Sequence, residues 1–421
     1  MYTPLLSSIA KFFQRGMDEG DQRMSPPPRP PAQLPEDLVC SSILPRLPVR
    51  SLMRFAAVSK AWRDLILGDA AFAALQAQSP SVASAALARF HNGRFEVLAP
   101  GGSAASVAPP DTSLSFLTAG GACQGLELCA CTSGLLCLTA MDSESRRLVF
   151  FVCNPAMRSF HLITYGCPLG VAGLAYDPAA AEPSYDVVVA ARQGLETCRF
   201  FRFSSRAAGP EWLAPPGTVG LAPFEALQPK PAYAGGRVHW LSNLGNIVWH
   251  DVASELCGTL PPPPPCVSGG GNMDLGVWRG RLRLARASNA GLGLWELASY
   301  GGAGAAPRWD AVHWRSWRSI SGVVAPERCF MWSVVPAGME VGGEVAVGLA
   351  LRHGHAVRRL VRGVSRQQDA VSRALVRYDR GTGATAAAVE LTGKEVHDGL
   401  GTVFGYHSSL AALPRLNMGD A

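Results

Sequence analysis

Lysine is scarce in this 421-residue chain: Lys11, Lys60, Lys230 and Lys394 are the only four among 38 basic residues. Arginine therefore carries almost all of the formal net charge of +6, which is too scattered to argue for a nucleic-acid partner. Arginine alongside abundant Ala, Gly and Pro reads most simply as GC-rich coding. Long apolar runs are also missing. No stretch approaches the roughly 18 uninterrupted apolar residues that a membrane-spanning helix needs. The apolar segment from Leu5 to Phe13 has no basic region before it and no cleavage site, so it reads as a frayed terminus rather than a targeting peptide. Signatures of catalysis are lacking too: there is no GxxxxGK[ST], HExxH or GxSxG.

Metal chemistry fares no better. The odd complement of 11 cysteines includes Cys123, Cys129, Cys131 and Cys137, whose spacing is not that of a zinc site. They are expected to be reduced and to act as small buried hydrophobes. His353-Gly-His355 has no third ligand nearby in sequence. The Arg-bearing stretch from Arg352 to Arg373 lacks interleaved aromatics and reads as a solvated loop or strand edge. No cofactor, no metal and no catalytic residue are expected.

What is present is a globular balance, with 48% hydrophobic and 17% charged residues. The 45 Gly and 32 Pro cut the chain into short stretches and favour a β-rich body. Residues 1–33 read as a disordered leader, and Ser25 to Gln33 (SPPPRPPAQ) as an extended spacer. Helical signals then concentrate between Pro35 and Gln78. Pro35 suits a first helical position, and Glu36 and Asp37 follow where the helix dipole favours acids. Leu38, Val39, Ile43 and Leu44 form an apolar stripe. Pro48 breaks it and opens a second stripe of Leu52, Phe55, Ala56 and Val58, which Trp62, Leu65 and Ile66 extend.

Beyond residue 83 the pattern turns to short β-type runs: 95–99, 148–152, 185–191, 198–203, 237–241 and 246–252. Comparable points in a weak repeat, Asn154, Phe203, Asp251 and Glu296, lie 49, 48 and 45 residues apart. That period suits one four-stranded blade of a β-propeller, and six or seven blades are expected. The fold class is thus α+β multidomain: helices over 34–80, an all-β propeller over 83–414 and a tail over 415–421.

The string LPEDLVCSSILPRLPVRSLMRFAAVSKAWRDLI, residues 34–66, resembles the F-box family along its length. The matching residues are Leu34, Pro35, Leu38, Ile43, Leu44, Leu47, Pro48, Leu52, Phe55, Val58, Ser59, Lys60, Trp62 and Ile66. Some 40 residues rarely bury a sufficient core alone, so part of this apolar surface should face a partner. The resemblance implies that the partner is a Skp-type adaptor, linked through it to a cullin and RING scaffold. Leu34, Pro35, Leu38, Ile43, Leu44, Leu47, Pro48, Leu52, Phe55, Val58 and Trp62 would form the adaptor-binding set, with Trp62 chiefly holding the helices together.

The body resembles the F-box-associated and Kelch-like domains of plant F-box proteins. Ser133–Leu138, Val152–Phe160, Leu174–Pro178, Tyr185–Val189 and Phe404–Pro414 carry that likeness, although the double-glycine Kelch signature is nearly absent. Together the resemblances imply a non-catalytic substrate receptor of an SCF-type ubiquitin ligase, working in the nucleus or cytoplasm. Few lysines would then leave few acceptors for self-ubiquitination. The alternative is a non-degradative interaction protein or transcriptional co-regulator using the same β domain. Most tryptophans should fill the core between blades. Trp309, His313, Trp314, Arg315 and Trp317 are the expected exposed substrate rim, because aromatics and Arg dominate binding hot spots.

Overall fold

The computed structural model describes residues 35–78, 85–98, 107–264, 272–316 and 402–414, with short internal gaps, together with the backbone of four strands between 332 and 391. It divides into two units, residues 1–45 and 46–421. In the first, Pro35 precedes a short helix, α1 (Glu36–Leu38), and its carbonyl accepts from the amides of Leu38 (3.1 Å) and Val39 (3.2 Å). The helix widens into a π turn over Val39–Ile43. Pro35 thus caps the helix instead of occupying its first turn.

The second unit opens with α2 (Val49–Ala56), where the carbonyl of Pro48 accepts from the amides of Ser51 and Leu52. Ser59 stops the apolar stripe and starts α3 (Lys60–Arg63), its Oγ accepting from the Trp62 amide at 3.1 Å. Val58 therefore falls in the linker and is exposed, not on the helical stripe expected for it. Asp69 caps α4 (Ala70–Gln78) through Oδ1 to the amides of Ala71 and Phe72.

The rest is a β-propeller. A three-stranded sheet pairs β1 (Ala85–His91) with β2 (Arg94–Leu98) on one side and with the last strand, β23 (Thr402–His407), on the other. Five four-stranded antiparallel blades lie between them in sequence. The first holds β3 (Cys123–Thr132), β4 (Leu135–Asp142), β5 (Leu148–Asn154) and β6 (Ser159–Ile163). The second holds β7 (Val171–Tyr176), β8 (Tyr185–Gln193), β9 (Thr197–Ser204) and β10 (Thr218–Gly220). The third holds β11 (Ala232–Ala234), β12 (Arg237–Leu241), β13 (Ile247–Asp251) and β14 (Cys257–Leu260). The fourth holds β15 (Asn272–Trp278), β16 (Arg281–Ala287), β17 (Gly291–Ser299) and β18 (Arg308–Ser316). The fifth holds β19 (Trp332–Pro336), β20 (Ala346–Val361), β21 (Val364–Asp379) and β22 (Thr385–Leu391).

Among the described residues, five full blades are fewer than the six or seven expected; the three-stranded sheet joins strands near the start and the end of the β region. Every strand run read from the sequence overlaps a strand, although residue 99 lies outside the described residues and residues 246 and 252 flank theirs. The repeat landmarks Asn154, Phe203, Asp251 and Glu296 all lie on the third strand of successive blades.

The first strands β3, β7, β11 and β15 run beside one another, and the blade faces bury aromatics between them. Phe95 meets Phe404 and Tyr406 edge-on at 5.6 and 4.7 Å. Trp240 lies against Phe200 and donates its indole N–H to the carbonyl of Val171 in the preceding blade, 2.9 Å away. Burying that ring without a partner for its N–H would be costly, which is why the bond crosses between blades. Ion pairs between neighbouring strands recur: Arg89 with Glu96, Arg202 with Asp186, Arg237 with Asp251 and Arg283 with Glu296.

Candidate interaction surfaces

The helical segment places its expected contact residues in two groups. Leu38 and Ile43 in the first unit are exposed, as is Val58 in the second. Leu44, Pro48 and Leu52 are buried. These three side chains, expected on a partner-facing surface, are withdrawn from solvent in the chain by itself. Pro35 is exposed, Leu47 and Phe55 are half-buried, and Leu34 lies outside the described residues. Trp62 packs edge-on against Phe55 with ring centroids 5.3 Å apart, tying α3 to α2.

At the fourth blade, the expected rim divides. Trp314 is half-exposed and Arg315 exposed, whereas His313 is half-buried. Trp309 instead packs against the core between the third and fourth blades and donates Nε1–H to the carbonyl of Pro261 at 3.2 Å. Trp309 pairs with Leu297 and Trp314 with Gly293 across β17–β18, with a bulge between the two pairs. Trp309 is thus structural, and Trp317 falls outside the described residues.

The sequence reading missed the junction that fastens α4 to the propeller. Gln76, fully buried, donates Nε2–H to the carbonyl of Ser408 (3.0 Å) and accepts from the Leu410 amide (2.8 Å). Asn154, also fully buried, donates to the carbonyls of Ser409 and Ala411 at 2.9 and 2.8 Å and accepts from the amides of Ala156 and Met157. Ser409 in turn donates to the carbonyl of Ser133 at 2.7 Å. The backbone comes so close there that a Cβ on Gly134 would lie 2.3 Å from Ser409 Oγ and 2.5 Å from the His407 carbonyl, with φ at +85°. A cleft of about 450 Å³ opens beside this junction, lined by Leu67 and Ala73, by Met157 and Phe160, and by Leu410 and Leu413. His161 also lines it, its Nδ1 2.9 Å from the Tyr185 hydroxyl; partial burial lowers its pKa.

No catalytic grouping emerges from these residues. Among the described residues, no three His, Cys, Asp or Glu side chains are placed to hold a metal ion. Burial pushes the Cys131 and Cys198 thiols up to about 12, so neither is a thiolate near neutrality. Among the described residues, no helix is long and apolar enough to cross a membrane.

No family model and no curated protein sequence matches the chain. Solved structures similar to it include a prolyl endopeptidase at 9% identity and TM-score 0.34, covering 80% of this chain and 54% of the other. Fission yeast SREBP–SCAP binding domains are similar at 13% identity and TM-score 0.30, covering 60% and 62%. YCF48 bound to a D1 peptide is similar at 12% identity and TM-score 0.33, covering 74% and 93%. The chain thus spans about half the length of the endopeptidase. Likenesses at this level carry no functional argument, and the propeller stands on its own sheet topology.

Proposed function

We propose that this chain is a substrate receptor of an SCF-type ubiquitin ligase. Residues 34–66 dock a Skp-type adaptor, and the propeller holds a protein substrate. The carrying observation is the ordered F-box-like string over 34–66. Leu38 and Ile43 in the first unit, and Val58 and Leu67 in the second, add support as large aliphatic side chains left in solvent on short helical segments or, for Val58, on the linker between two of them. An adaptor interface of standard size would cover about 1,600 Å² in total, with a few such side chains as anchors. A propeller suits the substrate-binding half, because its rigid blades hold loops that are free to vary in sequence. The receptor works by raising the local concentration of a substrate lysine near the conjugating enzyme, and makes or breaks no bond itself.

The test is co-precipitation of the full chain with a Skp-type adaptor. Leu38→Asp combined with Ile43→Asp should weaken capture at least tenfold without moving the melting temperature, and should lengthen the half-life of a bound substrate. Undiminished capture by that double variant sinks the docking assignment. A bound partner whose half-life ignores removal of this chain would favour a non-degradative role.

A further inference from the structure

Three connections meet at one end of the second and third blades: the end of β8 from Arg192 with loop 194–196 leading to β9, loop 221–231 joining β10 to β11, and loop 242–246 joining β12 to β13. Strand direction alternates within each blade, which brings these connections to the same end, and hydrogen bonds then weld them together. The Arg192 guanidinium donates to the carbonyls of Gly194, Leu195 and Glu225. Leu221 N donates to the Glu196 carbonyl at 2.7 Å. Asn243 exchanges bonds with Ala226, accepting at its side chain and donating from its backbone amide, both at 2.9 Å, and donates Nδ2–H to the Phe224 carbonyl at 3.1 Å. The Glu225 carboxylate is turned inward, accepting from Ala222 N and Asn246 Nδ2, each at 2.8 Å.

This rigid frame holds apolar side chains out into solvent. Phe224 is 90% exposed, Leu195 80% and Leu244 56%. Phe224 also has φ of +63°, a left-handed conformation that a bulky side chain adopts only when its surroundings impose it. Neither burial nor local packing accounts for a phenylalanine there. The charged residues of the frame are Arg192, Glu196, Glu225 and Lys230. Arg192 and Glu225 offset one another, the guanidinium favouring the ionised carboxylate, and Lys230 is ion-paired with Asp274, which leaves the exposed Glu196 carboxylate to give the patch its sign.

We infer that this end of the propeller is a preformed docking ridge: Phe224 is the wedge, Leu195 and Leu244 flank it, and the partner is a protein with an apolar pocket rimmed by Lys or Arg. The inference rests on reading the propeller as the protein-binding half. Because the loops are already bonded together, docking orders little new backbone, and the ring enters its pocket at low entropic cost. Glu196 steers the basic rim, so association should weaken with added salt.

A benzophenone amino acid placed at position 224 of the full chain, in its native cells, tests this. A second chain carries it at exposed Leu256, in the turn before β14, as a control. The expected result is an adduct at 224 and not at 256, on a partner residue within an apolar pocket flanked by Lys or Arg. With that partner purified, Phe224→Asn should weaken binding at least tenfold, and Glu196→Lys at least threefold with reduced salt sensitivity, while both variants keep the parent's melting temperature or exceed it. Absence of a 224-specific adduct, an adduct only with a second copy of this chain, an acidic or polar contact site, or unchanged affinity in either variant overturns the inference. Adaptor co-precipitation is scored in parallel. Adduct without adaptor removes the ligase reading and leaves the ridge, whereas adaptor without adduct does the reverse.

Discussion

Phe224 poses the sharpest question at the scale of single residues. A left-handed backbone costs an ordinary L-residue about 1–2 kcal/mol, and at 90% exposure the ring regains little of that by packing. Asn tolerates this conformation, so Phe224→Asn should raise unfolding stability by about 1 kcal/mol in a denaturant titration; a fall of similar size would show that the ring packs after all. Buried histidines make a second prediction. Burial lowers the pKa of His239 to about 4, even though its ring contacts the Ala232 carbonyl at 3.2 Å and the Tyr300 hydroxyl at 2.8 Å. Burial lowers His407 to about 4 as well. Below the ordinary value of 6.5 the unfolded chain takes up these protons and the folded one does not. Stability is therefore complete above pH 6.5 and is lost as pH falls towards 4. Each histidine steepens the loss by up to about 1.4 kcal/mol per pH unit. Denaturant midpoints measured across that range should show the slope, and His239→Gln should remove one histidine's share.

Among elements, the C-terminal segment 408–414 does the most binding together. It gives its carbonyls to Gln76 of α4 and to Asn154 at the end of β5, side chains that no periodicity marks as special. Asn154→Ala would strand two buried carbonyls and two amides and should cost about 3 kcal/mol, read as a lower denaturant midpoint; a change under about 1 kcal/mol would mean that water replaces the amide. Gly134→Ala should be comparably damaging, since its Cβ would collide with Ser409 and the His407 carbonyl at a positive φ. The contrast shows what the sequence could reveal. Strands such as 148–152 and 246–252 were legible because alternation and turn residues are local, and the landmark spacing of 45–49 residues exposed the blades because each blade repeats the same local grammar. The helix stops were half legible: Pro48 announces itself, whereas Ser59 expels Val58 from the stripe through one cap bond. The junction stayed hidden because Gln76 and Ser408 are joined only by the fold. Trp309 was misplaced because the core it packs against lies partly in the third blade, and that core and the Pro261 carbonyl, 48 residues away, are brought to it only by the fold.

For the molecule as a whole, the shortage of lysine takes on a meaning within the proposed ligase. Lys230 is half-buried and ion-paired with Asp274, whereas Lys60 opens α3 in full view of solvent. In a reconstituted ligase, self-modification of these two should therefore fall on Lys60, and Lys60→Arg should abolish it, as read by peptide mass spectrometry. Equal labelling of Lys230 would contradict that arrangement. The pairing of β1 with β23 has a different bearing, on the birth of the protein. Strand 85–91 leaves the ribosome about 310 residues before its partner at 402–407, which at roughly 5–20 residues per second means an uncovered edge for some tens of seconds. Nascent chains of this sequence should lean on chaperones through that interval, and a message truncated before codon 402 should yield aggregates instead of a shorter propeller.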